Sequence, residues 1–260
     1  ENDIRATLDT LSLTPPLHSG NDIPLTVAVT VRDADGSTAT QTGTHTVDVV
    51  PVADAPTVPA GSTPVNEDTA TVFGTNITYN LVDADGSESV TSVTVTGFPG
   101  GSTVAYTAGG ATVTAVAGGY EITGTPAAIR AALNTFAYTA PANTDANVTL
   151  SVTVETTDSN GDTATTVSSH ALNVAAIADA PSLSATPVTV NEDTSVNIGG
   201  GITYSLTDKD SSEKKTQEQV SSIPPGSTPT WVTSGSAVVS FNALTVVLTV
   251  TSTYPDPVLA

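Results

Sequence analysis

Two short runs concentrate the chemistry this chain could do. Ala53-Asp54-Ala55-Pro56 recurs 125 residues later as Ala178-Asp179-Ala180-Pro181, and each run is followed by Val-Asn-Glu-Asp and then by an Asp-Xaa-Asp. The acids so placed are Asp54, Glu67, Asp83 and Asp85 in the first set, and Asp179, Glu192, Asp208 and Asp210 in the second. Asp158 and Asp162 flank a further Gly-bearing loop, and Asp33 and Asp35 sit in another Asp-Ala-Asp-Gly. Carboxylates gathered without Lys or Arg repel one another unless a hard cation takes them as ligands. Calcium suits them, because it accepts about six to eight oxygens in flexible geometry, loop carbonyls included. Magnesium wants fewer carboxylates and stricter geometry, and three His with no Cys leave a transition metal little to hold.

Each motif also has a plainer reading. A lone Asp-Ala-Asp-Gly is a hairpin turn, with Asp accepting local backbone bonds and Gly supplying a positive φ. Recurrence at two loops and beside an acidic linker favours the metal. The pattern is not an EF-hand, since no Glu stands at the twelfth loop position after Asp33 or Asp83. His45 and His170 also recur at the period of 125, within strand-like sequence, and read as structural or surface histidines rather than as a base; no Ser, His and acid form a nucleophile motif.

Composition narrows the partners. Against 26 Asp and Glu stand 6 Lys and Arg, a formal net charge of -20, which disfavours nucleic acid and anionic lipid and favours divalent cations. The absence of Cys excludes disulfides and thiolate metal sites. The absence of Met leads us to expect a processed chain or an excerpt of a longer one. No apolar stretch is long enough to span a bilayer, so membrane insertion is not expected.

Thr, Val, Ala, Ser and Gly set the character of the elements that must hold these acids, and aromatics are only 4%. β-branched residues in period-2 alternation predict short strands, as in 76–82, 92–98 and 147–156, with Gly-Gly turns at 100, 109 and 118. One helix is expected at 125–136: Thr125 can cap it, Pro126 fits its first position, and Ile129 and Leu133 share a face. The self-match at 125 residues makes the chain a tandem array. One complete unit is expected at 54–178, the closing part of a preceding unit at 1–53, and the opening part of a following one at 179–260. The fold class is all-β, a two-sheet sandwich with a helical turn before its last two strands. In such a sandwich the loops at 83–88 and 158–162 meet at the pole where the linker arrives, which would gather Asp54, Asp83, Asp85, Asp158 and Asp162.

Taken in order, "ADAP", "VNED", "GTNITYNLVDADGSE", "TPAAIRAALNTFAYTAP" and "VTVETTDSNGDT" resemble the cadherin-like, immunoglobulin-like tandem repeats of giant bacterial surface adhesins of the RTX-adhesin type. The resemblance implies calcium between neighbouring domains, held by Glu67, Asp83 with Asp85, Asp158, and the linker acids Asp54 and Asp179. It places Glu67 at the far pole, toward Asp179 and Asp208. Pairing 69–73 with 77–81 as a hairpin would instead keep Glu67 with Asp54. This chain departs from the family where Ala53 and Ala178 replace the usual linker Asn. After Asp210 the third unit diverges, and Glu218 takes the core-facing place of Val93.

These readings make the chain a non-enzymatic spacer segment of an extracellular bacterial adhesin, matrix or filament protein, stiffened by calcium. Its partners would be neighbouring repeats, head to tail, in the same chain or in identical chains. The rival is a carbohydrate- or protein-binding recognition module, which predicts clustered aromatics that the 4% content does not supply.

Overall fold

The computed structural model describes residues 2–83, 85–208, 210 and 212–252. The chain divides into two compact units, one of residues up to 142 with 146–175, the other of 143–145 with the residues from 176 onward.

The first unit opens with α1 (Asn2–Leu8) and a hairpin of β1 (Ile23–Arg32) and β2 (Thr38–Val47). There follow β3 (Gly61–Asn66), β4 (Thr71–Val72), β5 (Glu88–Thr96), β6 (Thr103–Ala105), β7 (Thr112–Val116), β8 (Gly119–Thr123), α2 (Pro126–Leu133), β9 (Ala137–Thr139), β10 (Val148–Asp158) and β11 (Thr163–Ala175). Strands in the order β3-β11-β10-β5-β8-β7 form one sheet, and β4-β9-β6 form a second. Only β3 on β11 is parallel in the larger sheet. The structure is thus an all-β sandwich. Alternation along β10 sends Val148, Leu150, Val152 and Val154 inward, where they meet Phe73, Phe136, Tyr138, Ile122 and Leu172 in one buried cluster.

Helix α2 forms where the sequence places it. Thr125 Oγ1 accepts the Ala128 N–H at 3.3 Å, Pro126 occupies the first turn, and Ile129, Ala132 and Leu133 are buried. The strand expected at 76–82 does not form. Gly74–Asn76 is a 3-10 turn, and Thr57–Asn80 is an isolated bridge. The cause is the helix: a Cβ on Gly74 would stand 1.8 Å from the Leu133 carbonyl oxygen, so the chain is pressed onto the helix end. The Ile77 carbonyl is taken by the Arg130 guanidinium at 2.7 Å instead of by a strand neighbour, while Arg130 lies 3.8 Å over the Tyr79 ring.

The second unit holds β12 (Ser182–Ala185), β13 (Ile202–Ser205), β14 (Gln217–Val220), β15 (Ala237–Asn242) and β16 (Val247–Ser252). β12 pairs with β13, and β16 lies between β14 and β15. At the period of 125, β14 matches part of β5, but its pairing has slipped. Val95 faces Tyr120 in the first unit, whereas Val220, its counterpart, faces Leu248 rather than Thr245. Gly119 explains the slip. Its backbone runs so close to β5 that a Cβ would meet the Val95 carbonyl oxygen at 1.9 Å. The second unit has Leu244 at that place, which is 95% exposed and lies in the enlarged turn.

Candidate functional site: an acidic pole

The linker reaches the sandwich between the β5 and β10 ends. Asn160 Nδ2 donates to the Pro51 carbonyl at 2.7 Å, and Thr156 Oγ1 donates to the Asp54 carbonyl at 2.8 Å. We call this end the leading pole. A register shift between Glu155 and Thr156 bends β10 just before it, as bulges beside sites do. Beyond the shift, Asp158 stands directly opposite Glu88 across the β10–β5 pair. Like charges in such a pair are destabilising, and here both residues are buried, each only 5% exposed.

Glu88 was not among the acids singled out from the sequence, yet it is the centre of the site. One of its carboxylate oxygens accepts the Asp54 N–H. Burial, followed by the charges of Asp54, Asp83 and Asp158, pushes its pKa above the ordinary carboxylate value despite that hydrogen bond. The second oxygen, Glu88 Oε2, is buried with no donor, and so is Asp158 Oδ2. Two buried carboxylate oxygens without hydrogen bonds beside two further acids are a costly arrangement for a protein alone and a fitting one for a hard cation. The signal was present in the sequence, since the Glu five residues after Asp83 recurs as Glu213 after Asp208.

The neighbouring loop is preorganised. Asp83 Oδ1 accepts the Asp85 N–H at 3.1 Å, and Asp85 Oδ1 accepts the Ser87 N–H at 2.9 Å. Asp85 Oδ2 reaches across to the Gly20 N–H at 2.6 Å. The Ser87 and Gly20 amides hold the Asp85 pKa down at about 2. His18 Nδ1 lies 2.7 Å from Asp54 Oδ2. A cleft of ≈ 330 Å³ opens here, lined by Pro15, His18, Pro51, Asp54, Asp83 and Ser87 among others.

Asp162 belongs to the same loop as Asp158, and its carbonyl accepts the Asp158 N–H at 2.9 Å. Its carboxylate is turned to Asn160 Nδ2 at 3.0 Å and is exposed. Glu67 is elsewhere. Its N–H donates to the Ala175 carbonyl at 3.1 Å at the end where β11 leaves, so parallel pairing of β3 with β11 puts this buried acid at the trailing pole. The hairpin that would have kept it with Asp54 is absent, because β4 pairs with β9.

Asp33 and Asp35 lie in the turn of the first hairpin. The Gly36 N–H donates to the Asp33 carbonyl at 3.0 Å, Asp35 Oδ1 accepts the Ser37 N–H at 2.8 Å, and Gly36 has φ 95°, a hairpin turn between β1 and β2.

The second unit repeats the leading-pole pattern at its own acids. The Asp179 N–H donates to the Glu213 carboxylate, whose Oε2 is buried without a donor. Asp210 Oδ2 accepts the Asp145 N–H at 2.8 Å, which stands 125 residues from the Gly20–Asp85 bond. Backbone donors from Asp145 and Ser212 hold Asp210 well below the usual carboxylate range, while the hydrogen bond with Asp210 and burial raise Asp145. Asp208 Oδ1 accepts the Asp210 N–H at 3.1 Å. Glu192 is exposed in a turn at 192–193, because 186–190 form no strand to carry it as β3 carries Glu67. Of the repeated histidines, His170 is 2% exposed and lies 2.9 Å from Thr63 Oγ1, whereas His45 is exposed on β2.

No protein-family model matches this chain, and no curated protein is similar to it at a significant level. Among solved structures it is similar to the extracellular cadherin domains 1–4 of protocadherin gamma B7, at 12% identity and a TM-score of 0.31. The overlap covers 91% of this chain and 59% of that one, so the chain spans about three fifths of the cadherin segment.

Proposed function

We propose that the chain is a spacer segment of an extracellular bacterial adhesin, matrix or filament protein, and that calcium at the acidic poles stiffens its inter-repeat joints. The observation that carries this reading is the Glu88–Asp158 pair, buried and facing each other with an unpartnered oxygen on each, next to Asp54 and Asp83. Recurrence of the Asp54–Glu88 bond as Asp179–Glu213 supports a role tied to the repeat rather than to one chance cluster.

Among the described residues no group of three His, Asp or Glu side chains forms a ready-made cage. Asp54, Asp83, Glu88 and Asp158 would hold the ion, with loop carbonyls and water completing its shell. Bound calcium would supply two positive charges that offset the repulsion among the four acids and would tie linker to loops. Without it, like charges push the linker around Pro51–Pro56 and the loops apart, against the hydrogen bonds from Asn160 and Thr156 that hold them together. Asp85, engaged with the Gly20 amide, fixes the 15–20 segment against the same loop. Neighbouring repeats are the partners in this reading, ordered head to tail.

Thermal melts of the full chain in millimolar calcium and in chelator test the proposal. With a Kd of roughly 0.1 mM and calcium a hundredfold above it, the ion stabilises the bound state by about 2.7 kcal/mol. Superimposable melts would refute it.

A further inference from the structure

The six-stranded sheet of the first unit has two outer strands, β3 and β7, each with described chain on either side of it. The edge at β3 is blunted by Pro64, which cannot donate to a further strand. β7 holds no Pro and no charge, and its register with β8 runs without a bulge. Among the described residues it pairs with β8 alone. From 105 to 118 every residue is exposed except Ala111 and Val113, which are half-buried, so the outer edge of β7 faces solvent.

Ladder alternation says which backbone groups are left over. Ala117 and Gly118 form a two-residue turn closed by the Val116–Gly119 pair, with Gly118 at φ 71°. Counting from that turn, Val116, Thr114 and Thr112 exchange hydrogen bonds with β8, while Val113 and Ala115 present N–H and C=O to the open side. The Gly97 N–H, donating to the Gly118 carbonyl at 2.9 Å from the β5 side, fits the same count. Charge says what can come there. The chain carries a net charge of -20, yet residues 89–120 contain no Asp, Glu, Lys or Arg. Two copies that repel through their acids meet the least repulsion along this stretch.

We propose that β7 of one copy pairs antiparallel with β7 of a second copy about a twofold axis at Thr114, joining two six-stranded sheets into one. Val113 of each copy then exchanges hydrogen bonds with Ala115 of the other, which uses the groups left open. Thr114 meets its own counterpart in a non-hydrogen-bonded pair, where Cα atoms stand about 4.5 Å apart and facing threonines attract. The nearest charges, Glu121 opposite Thr114 in each copy, lie about 14 Å apart, beyond the Debye length of about 8 Å at physiological salt. The contact is isologous and closes at two copies. It is small, so a single pair is weak. At the period of 125, 112–116 corresponds to 237–241, and the chain is again free of charge from 219 to 245. Where units repeat, such contacts add along two chains laid side by side. The proposal goes beyond the spacer reading and uses no calcium, so it is tested in chelator, where its failure leaves the calcium reading untouched.

The chain has no Cys, so one introduced thiol reports the geometry. T114C places its sulfur at the axis, whereas T112C, on the same strand and likewise exposed, leaves the two thiols about 14 Å apart along the strands, out of disulfide reach. In a glutathione redox buffer T114C should form the linked dimer at least about tenfold faster than T112C. Sedimentation equilibrium of the full chain, carried to about 500 μM because the contact is small, should show the mass rising from 26.0 kDa toward twice that value. Added salt should strengthen association, since it screens the acids. A115P removes an open N–H, and T114K sets two ammonium groups face to face while each pairs with its own Glu121; both should stay at 26.0 kDa, and T114K should keep the parent's melt. Equal cross-linking of T114C and T112C, a parent of 26.0 kDa throughout, or association that survives both A115P and T114K would each overturn the proposal.

Discussion

β10–β11 and β1–β2 are hairpins of one design with opposite fates. Their registers agree residue for residue at the period of 125, and each ends in an Asp-led turn closed by a Gly in the left-handed region, Gly161 and Gly36. Yet Leu150, Val154 and Leu172 are fully buried, while Val29 and Val31 are mostly in water. Local sequence suffices to make the hairpin; its energetic weight comes from β3, β5 and the sheet opposite. A strand's alternation is therefore a statement about a partner, and where the sheet has only two strands the same alternation reads as an exposed stripe.

The sharpest way to break this comparison is to cut the same side chain from both hairpins. Leu150→Ala should cost about 2–5 kcal/mol, as buried leucines do, and Leu25→Ala less than about 1 kcal/mol, measured by urea unfolding of the full chain. Equal losses would mean that β1–β2 is packed as firmly as β10–β11.

Next comes the glycine pair at the helix end. Gly74→Ala drives a Cβ into the Leu133 carbonyl and should cost about 1–3 kcal/mol. Gly199→Ala, where the nearest atom is Asn197 Oδ1 at 3.5 Å, should be within about 0.5 kcal/mol of the parent. A smaller and pH-dependent effect belongs to His170. Burial holds its pKa below the ordinary histidine value, so as pH falls below about 6.5 the unfolded chain takes up the proton first. Stability is complete above that pH and is lost on acidification. His170→Gln, which can still bond Thr63, should flatten the slope between about pH 5 and 7.

Much of this was legible in the residues. Thr125-Pro126 marked the start of α2, and alternation the strands β5 and β10. The gathering of Asp54, Asp83 and Asp158 at one pole followed from sandwich connectivity. What stayed hidden depends on contacts distant in sequence. The loss of the strand at 76–82 turns on Arg130 reaching the Ile77 carbonyl 53 residues away. The slip of β14 turns on one Cβ, Leu244 in place of Gly119. Glu88 escaped notice because a Glu opening a strand reads as a solvated residue; only the register that sets it against Asp158 shows it buried.

Melts of the parent chain and of Glu88→Gln, each in millimolar calcium and in chelator, test the central claim most directly. In chelator the amide should leave the sandwich as stable as the parent or more so, because it removes a charge that Asp54, Asp83 and Asp158 repel. In calcium the parent should gain about 5–10 °C and the variant almost nothing. A parent melt indifferent to calcium, or a variant that keeps the whole gain, would contradict an ion held at the acidic pole.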